Sequence, residues 1–281
     1  MKIDEALMNF FSALSEKEQT TLYSFLSKAK KTGEVTGFSI IHNMLKLDID
    51  NLNEVIELSS SMKAPSLLKQ YSPKEKVVLP IDHIPLSEPL DVVLNNRESK
   101  RAYTGEPLTL QELSTLLYFS YGVRGYTTAY GMEMFPLRMG PSSGGLQAIE
   151  LYIFVNKVKE VAQGLYHYNP FDNSIELLEE GNFRRKIVKA CTTSDFVDNA
   201  SVVLVLSCVI ERVILKYTLR SYKVIHMDVG FVGENIYLVG TALGLGVCAM
   251  AGFFDDKVDE LLRINGKDEF VGLLMAVGKL S

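Results

Sequence analysis

No Walker-type phosphate loop occurs in the 281 residues, and no GxGxxG leads from a β-prone run into a helix. The usual mononucleotide loop and dinucleotide-binding Rossmann unit are thereby disfavoured. Cysteine is scarce. Cys191, Cys208 and Cys248 lie far apart and make no CxxC or zinc-type spacing with the four histidines, so reduced, buried thiols and no metal site are expected. Positive charge is not in excess either: a formal net charge of −5 argues against broad binding to nucleic acid or to an anionic membrane. The longest apolar-rich stretch, residues 224–247, is interrupted by His226, Asp228, Glu234 and Asn235, which a bilayer span would bury at high cost. It reads as a buried helix. The opening MKIDEALMNFFSAL carries Asp4 and Glu5 where a secretory signal carries basic residues, so a cytoplasmic location is expected.

What is present is a soluble globular composition, 47% hydrophobic and 22% charged, with length for one main domain and an appendage. Residues 1–60 show helical spacing in ALMNFFSAL and TTLYSFLSKAKK, with Ser15 and Glu18 as a capping box. They are expected to form a small helical appendage, either covering the core or contacting a peptide or a second subunit. Residues 61–90 hold Pro65, Pro73, Pro80, Pro85 and Pro89, which predicts an extended surface connector. The main domain then occupies residues 91–281. Thr109 and Glu112 form a second capping box, opening an amphipathic helix through Leu110, Leu113, Leu116 and Leu117.

Beyond that helix, residues 122–140 read as a loop, in which Met132, Met134 and Met139 suit either a flexible substrate entrance or irregular core packing. The runs IELYIFV, GLYHYN and NSIELLEE read as strands, NFRRKIVKAC as a helix and SVVLVLSCV as a buried strand. A long helix over 224–243, a surface helix in DDKVDELLRI and a last strand in VGLLMAVG complete an α+β order. Asp228 and Asn235 fall near one face of the long helix and His167 on a strand among aromatics. Buried, hydrogen-bonded roles are expected for them.

Two segments carry chemistry. In PSSGG, Pro141, Ser142, Ser143 and Gly144 precede a strand, and small residues there let a flat ligand approach backbone N–H groups and hydroxyls. A plain turn uses the same residues. In RESKRAY, the alternate spacing of Arg97, Ser99 and Arg101 can aim two guanidiniums at a phosphate. The interspersed Glu98 and Lys100 fit a solvated edge equally well.

Together with PLTLQELSTLLYFSYGV, IELYIFVN, GLYHYNP, LKYTLRSY and DVGFVGENIYLVGTALGLGV, these segments resemble the SagB-type, McbC-like branch of the nitroreductase-fold flavoproteins over residues 89–278. The chain departs from that branch at Gln147 and Ala148, where an aromatic residue and a proline usually follow the glycine turn. The resemblance implies a central mixed, largely antiparallel sheet flanked by helices. It also implies an FMN site shared by the two subunits of a homodimer. Arg97, Ser99 and Arg101 would hold the phosphate or ribityl chain, and residues 141–144 would line the flavin ring. Gly244 and Gly246 would form a second flavin-facing segment, although a helix C-terminal glycine explains LGLGV as well. Lys216 and Tyr217 of LKYTLRSY would be the catalytic pair, oxidising thiazolines or oxazolines in a ribosomally made peptide beside a cyclodehydratase partner. An NAD(P)H-dependent nitroreductase-like enzyme and a non-catalytic scaffold are the alternatives.

Overall fold

A computed structural model of the protein describes residues 63, 65–73, 75–192 and 195–280, together with Leu45. Contacts divide the chain into two units, Met1–Leu52 and Asn53–Ser281. The expected helical appendage and its Ser15–Glu18 capping box lie outside the described residues.

The second unit is built on a seven-stranded sheet with strands β1 (Lys76–Val78), β4 (Ile149–Val155), β5 (Gly164–Asn169), β6 (Ser174–Glu180), β7 (Val202–Val209), β8 (Leu245–Met250) and β9 (Glu269–Lys279). Their order is β1-β6-β5-β4-β7-β9-β8, and each neighbouring pair is antiparallel. A parallel bridge from Ser99 to Val247 lies beside β8. Both faces of the sheet are covered, which is why the central strands read as unbroken apolar runs. On β4, Ile149, Leu151, Ile153 and Val155 enter one hydrophobic cluster, while Tyr152 and Phe154 enter the other.

The first cluster is closed by helices α2 (Leu110–Tyr121) and α5 (Ser221–Ala242). Helix α2 begins at the expected capping box: Thr109 Oγ1 accepts from the Glu112 N–H at 3.1 Å, and the Glu112 carboxylate accepts from the Thr109 N–H at 2.8 Å. It buries Leu113, Leu116 and Leu117 completely, each worth roughly 1.5–3 kcal/mol. The second cluster packs under α3 (Arg184–Ala190) and α6 (Asp255–Leu262). Short helices α1 (Leu90–Asn96) and α4 (Glu211–Tyr217) precede RESKRAY's phosphate-clamp candidates and α5 respectively. All three cysteines are free and buried. Burial pushes the Cys191 thiol up to about 11.

Two expectations need correction. Residues 122–140 are not a loop: β2 (Val123–Ala129) and β3 (Met132–Arg138) form an antiparallel hairpin. Its turn residues Tyr130 and Gly131 both have positive φ, 49° and 74°, the condition for a two-residue turn that matches strand twist. A tyrosine where Asn, Asp or Gly is usual, and Pro136 inside β3, hide the hairpin in the sequence. Nor does the proline-rich connector merely run over the surface. It supplies β1, buries Leu67 and Leu79, and its Lys69 N–H donates to Glu150 Oε1 at 2.8 Å.

Glu150 lies within a charged network that crosses the sheet. His167 Nε2 meets Glu150 Oε2 at 2.8 Å and His167 Nδ1 meets Glu176 Oε2 at 3.4 Å, while Arg212 of α4 pairs with Glu150 Oε1. Glu150 and His167 are fully buried. Burial alone would raise the Glu150 carboxyl, but Arg212 and His167 outweigh it and hold it at about 2. Burial alone would lower His167, but its two carboxylate partners outweigh that and raise it above 6.5. Glu150 therefore contributes stability above its unfolded value near 4.5, lost as pH falls toward about 2. His167 contributes stability below 6.5, lost as pH rises through its raised folded value. Thermal unfolding followed against pH is expected to show both contributions in full between about 4.5 and 6.5. His167→Gln should remove the alkaline loss; an unchanged alkaline limb in that variant would mean that His167 is neutral in the fold.

Candidate active site at the glycine turn

The PSSGG turn leads into β4 through a short helical turn at Ser143–Gly145. Gly144 and Gly145 hold φ of 61° and 71°, and Gln147 holds 52°. Asp228, from the middle of α5, fastens this turn. Its carboxylate accepts from Ser142 Oγ at 3.0 Å, from Ser143 Oγ at 2.8 Å, and from the Ser143 N–H at 2.8 Å. Ser142 Oγ in turn accepts from the Gln147 N–H at 2.9 Å. Asp228 is almost wholly buried; desolvation raises its carboxyl above the usual range, against the opposing pull of the Ser143 and Ser142 donors. The expected hydrogen-bonded role of Asp228 is thus what the structure shows. Asn235 likewise donates to the Ser120 carbonyl, at 3.2 Å.

The turn is also where Lys216 and Tyr217 meet. A Cβ at Gly144 would lie 2.9 Å from the Tyr217 hydroxyl, 3.0 Å from Lys216 Nζ and 3.1 Å from the Tyr130 hydroxyl. Three side chains from two separate stretches of chain so surround one glycine. Tyr217 is pushed up by burial, an effect that the Lys216 cation opposes. Tyr130 was no part of the sequence reading. It reaches the site from the hairpin tip, donating to the Gly144 carbonyl at 2.8 Å and accepting from Lys216 Nζ at 2.6 Å.

Arg212 is the other contributor that the sequence reading passed over, since a charge at the start of ERVILKY looks like a solvated helix end. It lies one helical turn before Lys216, is 4% exposed, and donates from Nη1 to the Gln147 carbonyl at 2.7 Å. With its other arm on Glu150, it ties α4 and the glycine turn to the same buried carboxylate.

Arg97, Ser99 and Arg101 form a second group, beside β8. The Arg97 guanidinium lies 5.4 Å from the Tyr237 ring centre and that of Arg101 lies 6.0 Å from the Phe196 ring centre. Ser99 Oγ shares a 2.8 Å hydrogen bond with the Tyr237 hydroxyl, which also accepts from the Ala249 N–H at 2.7 Å. The ion pairs among the described residues include neither arginine. Gly246 joins this group: a Cβ there would meet Tyr103 at 2.9 Å and Lys100 at 3.2 Å, so its small size lets RESKRAY lie against β8. Gly244, φ 67° with open space around it, follows the last turn of α5 as a left-handed helix end.

The two groups do not meet within one chain. They attach to α5 at Asp228 and Tyr237, nine positions and two and a half turns apart, hence on opposite faces and about 13 Å along the axis. Met227 and Phe231, one turn apart, are exposed apolar residues on one face of this helix.

The Nitroreductase family model matches residues 94–279, and the chain belongs to that family. Two relatives described as "putative nitroreductases" are MJ1384 of Methanocaldococcus jannaschii, 35% identical over 193 residues covering 68% of this chain and 90% of that one, and a crystal structure from Anabaena variabilis with TM-score 0.62, 29% identity and coverage of 76% of this chain and 45% of that one. The microcin B17-processing protein McbC of Escherichia coli is 25% identical over 133 residues, 44% of this chain and 48% of its own. A chain of the E. coli microcin synthetase McbBCD complex with truncated pro-MccB17 has the same fold, with TM-score 0.55 at 16% identity over the whole of both chains. Among the described residues no helix is long and apolar enough to cross a membrane, and no group of His, Cys, Asp and Glu side chains could hold a metal ion.

Replacing Gly144 by Ala tests the crowding at the turn. The new methyl group meets three polar tips at about 3 Å and a φ of 61°, so a loss of roughly 1–2 kcal/mol is expected in denaturant unfolding. A crystal structure of the variant should show Lys216 or Tyr130 displaced. Unchanged stability and unchanged side chains would mean that the site is looser than these distances imply.

Proposed function

We propose that the protein is an FMN-dependent oxidoreductase that converts thiazolines or oxazolines in a ribosomally made peptide to azoles. The observation that carries this reading is the convergence of Lys216 and Tyr217 on Gly144, because the resemblance to the McbC-like branch singles out these two residues and this turn together. The McbC relationship supports the same substrate class and a cyclodehydratase partner.

The residues present suit the cofactor. Arg97 and Arg101 offer guanidiniums that make no ion pair among the described residues, Ser99 offers a hydroxyl between them, and the 141–144 turn offers small residues with hydroxyl groups. Bound FMN would accept a hydride equivalent from the azoline ring, oxygen restoring the oxidised flavin. Lys216, in its neutral amine form, would take the ring proton that aromatisation releases, so the substrate loses two hydrogens overall: one as proton to that amine, one as hydride. Tyr217, beside it, orients the ring or relays that proton. Asp228 fixes the turn through Ser142 and Ser143, so the polar surroundings of the site need no reorganisation as charge develops.

The placement of the two residue groups on opposite faces of α5 fits a site completed across a homodimer, the phosphate group of one chain facing the glycine turn of its partner. Met227 and Phe231, 47% and 48% exposed, supply the apolar surface for that contact. Phe231→Glu should give monomers in sedimentation and release the flavin; a flavin-bound monomer would refute the shared site.

The reading is tested by the absorbance spectrum of the purified protein, with the released cofactor identified by mass, before and after anaerobic NADPH. FMN left oxidised by NADPH, with turnover of an azoline peptide that Lys216→Ala and Tyr217→Ala abolish without losing FMN, is the expected result. The family membership supports a second reading, a reductase of the nitroreductase type, and rapid bleaching by NADPH would select it. A well-folded protein that takes up no flavin would select a scaffold.

A further inference from the structure

A bulky aromatic in the left-handed region is an unusual choice at a hairpin turn. Tyr130 holds φ 49°, where Asn, Asp or Gly would sit with less strain. Such conformations cost on the order of 1–3 kcal/mol and persist where the surroundings compensate them.

The compensation is local and specific. The Tyr130 hydroxyl donates to the Gly144 carbonyl at 2.8 Å and accepts from Lys216 Nζ at 2.6 Å. Lys216 Nζ also lies 5.0 Å from the Tyr130 ring centre. A phenol has one proton, and here the carbonyl takes it, so toward Lys216 the oxygen can only accept. The lysine amine is thus held as donor at a defined point above the turn. The hairpin clasps the turn a second time through Phe135, whose ring would lie 3.1 Å from a Cβ at Gly145 and whose centre is 5.4 Å from that of Tyr130. A long, four-carbon side chain such as Lys216 samples many rotamers when free, and ordering it costs entropy that the Tyr130 contact offsets.

We propose that Tyr130 is a positioning residue for Lys216, and that the strained hairpin tip is kept because it places the phenol oxygen between the lysine amine and the Gly144 carbonyl. The inference rests on the proposed role of Lys216 as the base. It deepens that reading by adding the hairpin β2–β3 to the site, a part of the chain that RESKRAY, PSSGG and LKYTLRSY do not include. The hydroxyl acts through Lys216 and not on the substrate.

The test uses the full-length protein with FMN supplied. Tyr130→Phe keeps the ring and backbone and removes only the oxygen, whereas Tyr130→Asn relieves the strain but cannot reach Lys216. Side-chain order of Lys216 is read by NMR relaxation of its ¹³Cε group, assigned by its absence in Lys216→Arg. The expected result is an ordered Lys216 in the wild type and a mobile one in both variants. With an azoline peptide, kcat should fall about tenfold or more in both, as a misplaced group costs, while KM changes less than about threefold. Tyr130→Asn should also raise Tm by a few degrees, so that stability and activity move in opposite directions. A purely structural tyrosine would lower Tm and leave Lys216 order and kcat alone. Equal order of Lys216 in wild type and Tyr130→Phe, or full kcat in both variants, overturns the proposal. Absence of azoline turnover in the wild type would defeat the functional reading instead, and the relaxation comparison would still decide the role of Tyr130.

Discussion

The structure depends on one ionised group in an unfavourable place. Glu150 sits on the central strand β4 with no exposure to water, and a buried carboxylate without partners would be expelled or neutralised. It is satisfied from three sides: by the Arg212 guanidinium, by His167 on the adjacent strand and by the backbone of Lys69 in the connector. Each partner is thereby fixed to the sheet. Through Arg212 the requirement reaches α4, which bears Lys216 and Tyr217, and through the second arm of the same side chain it reaches the Gln147 carbonyl at the end of the glycine turn. Both walls of the candidate site are thus registered against one charge inside the sheet.

A similar economy governs the other polar residues in apolar elements. Asp228 interrupts a long buried helix, and its carboxylate is spent on Ser142 and Ser143 of the turn. Tyr237, two and a half turns further along the same helix, ties Ser99 to the β8 backbone through its hydroxyl. Helix α5 is consequently the spine to which both groups of site residues attach, on opposite faces. Its internal polar side chains are explained by the segments they hold, Asp228 the glycine turn and Tyr237 both Ser99 and β8. Asp228 and Arg212, which hold the turn, are buried, whereas Lys216, Tyr217 and Tyr130 are only half-buried.

Much of this was legible beforehand because it depends on neighbouring residues. Thr109 and Glu112 are three positions apart, so their reciprocal caps are a local matter, and the runs IELYIFV and VVLVLSCV announce strands buried on both faces. The hairpin was not legible, since Tyr130 and Pro136 contradict local preference and are tolerated only for tertiary reasons: a hydroxyl anchored on Gly144 and a strand in a two-stranded sheet. The connector was misread for a related cause. Its prolines favour extended chain, but whether such chain lies in solvent or joins a sheet edge depends on what β6 leaves unpaired.

By itself the sequence determined the α+β element order, the helix starts set by caps, the strands buried on both faces and the membership in a family whose motifs are short and contiguous. Those features arise from interactions within about a turn of helix or a strand. Tertiary structure alone decided that Asp228, Arg212 and Tyr130 serve the PSSGG turn, and that Arg97, Ser99 and Arg101 stand apart from it. The partners concerned are separated by up to 86 positions, as Tyr130 is from Lys216 and Ser142 from Asp228. No local preference encodes such pairs; they follow from where the sheet sets each element down and from the need of every buried polar group for a partner.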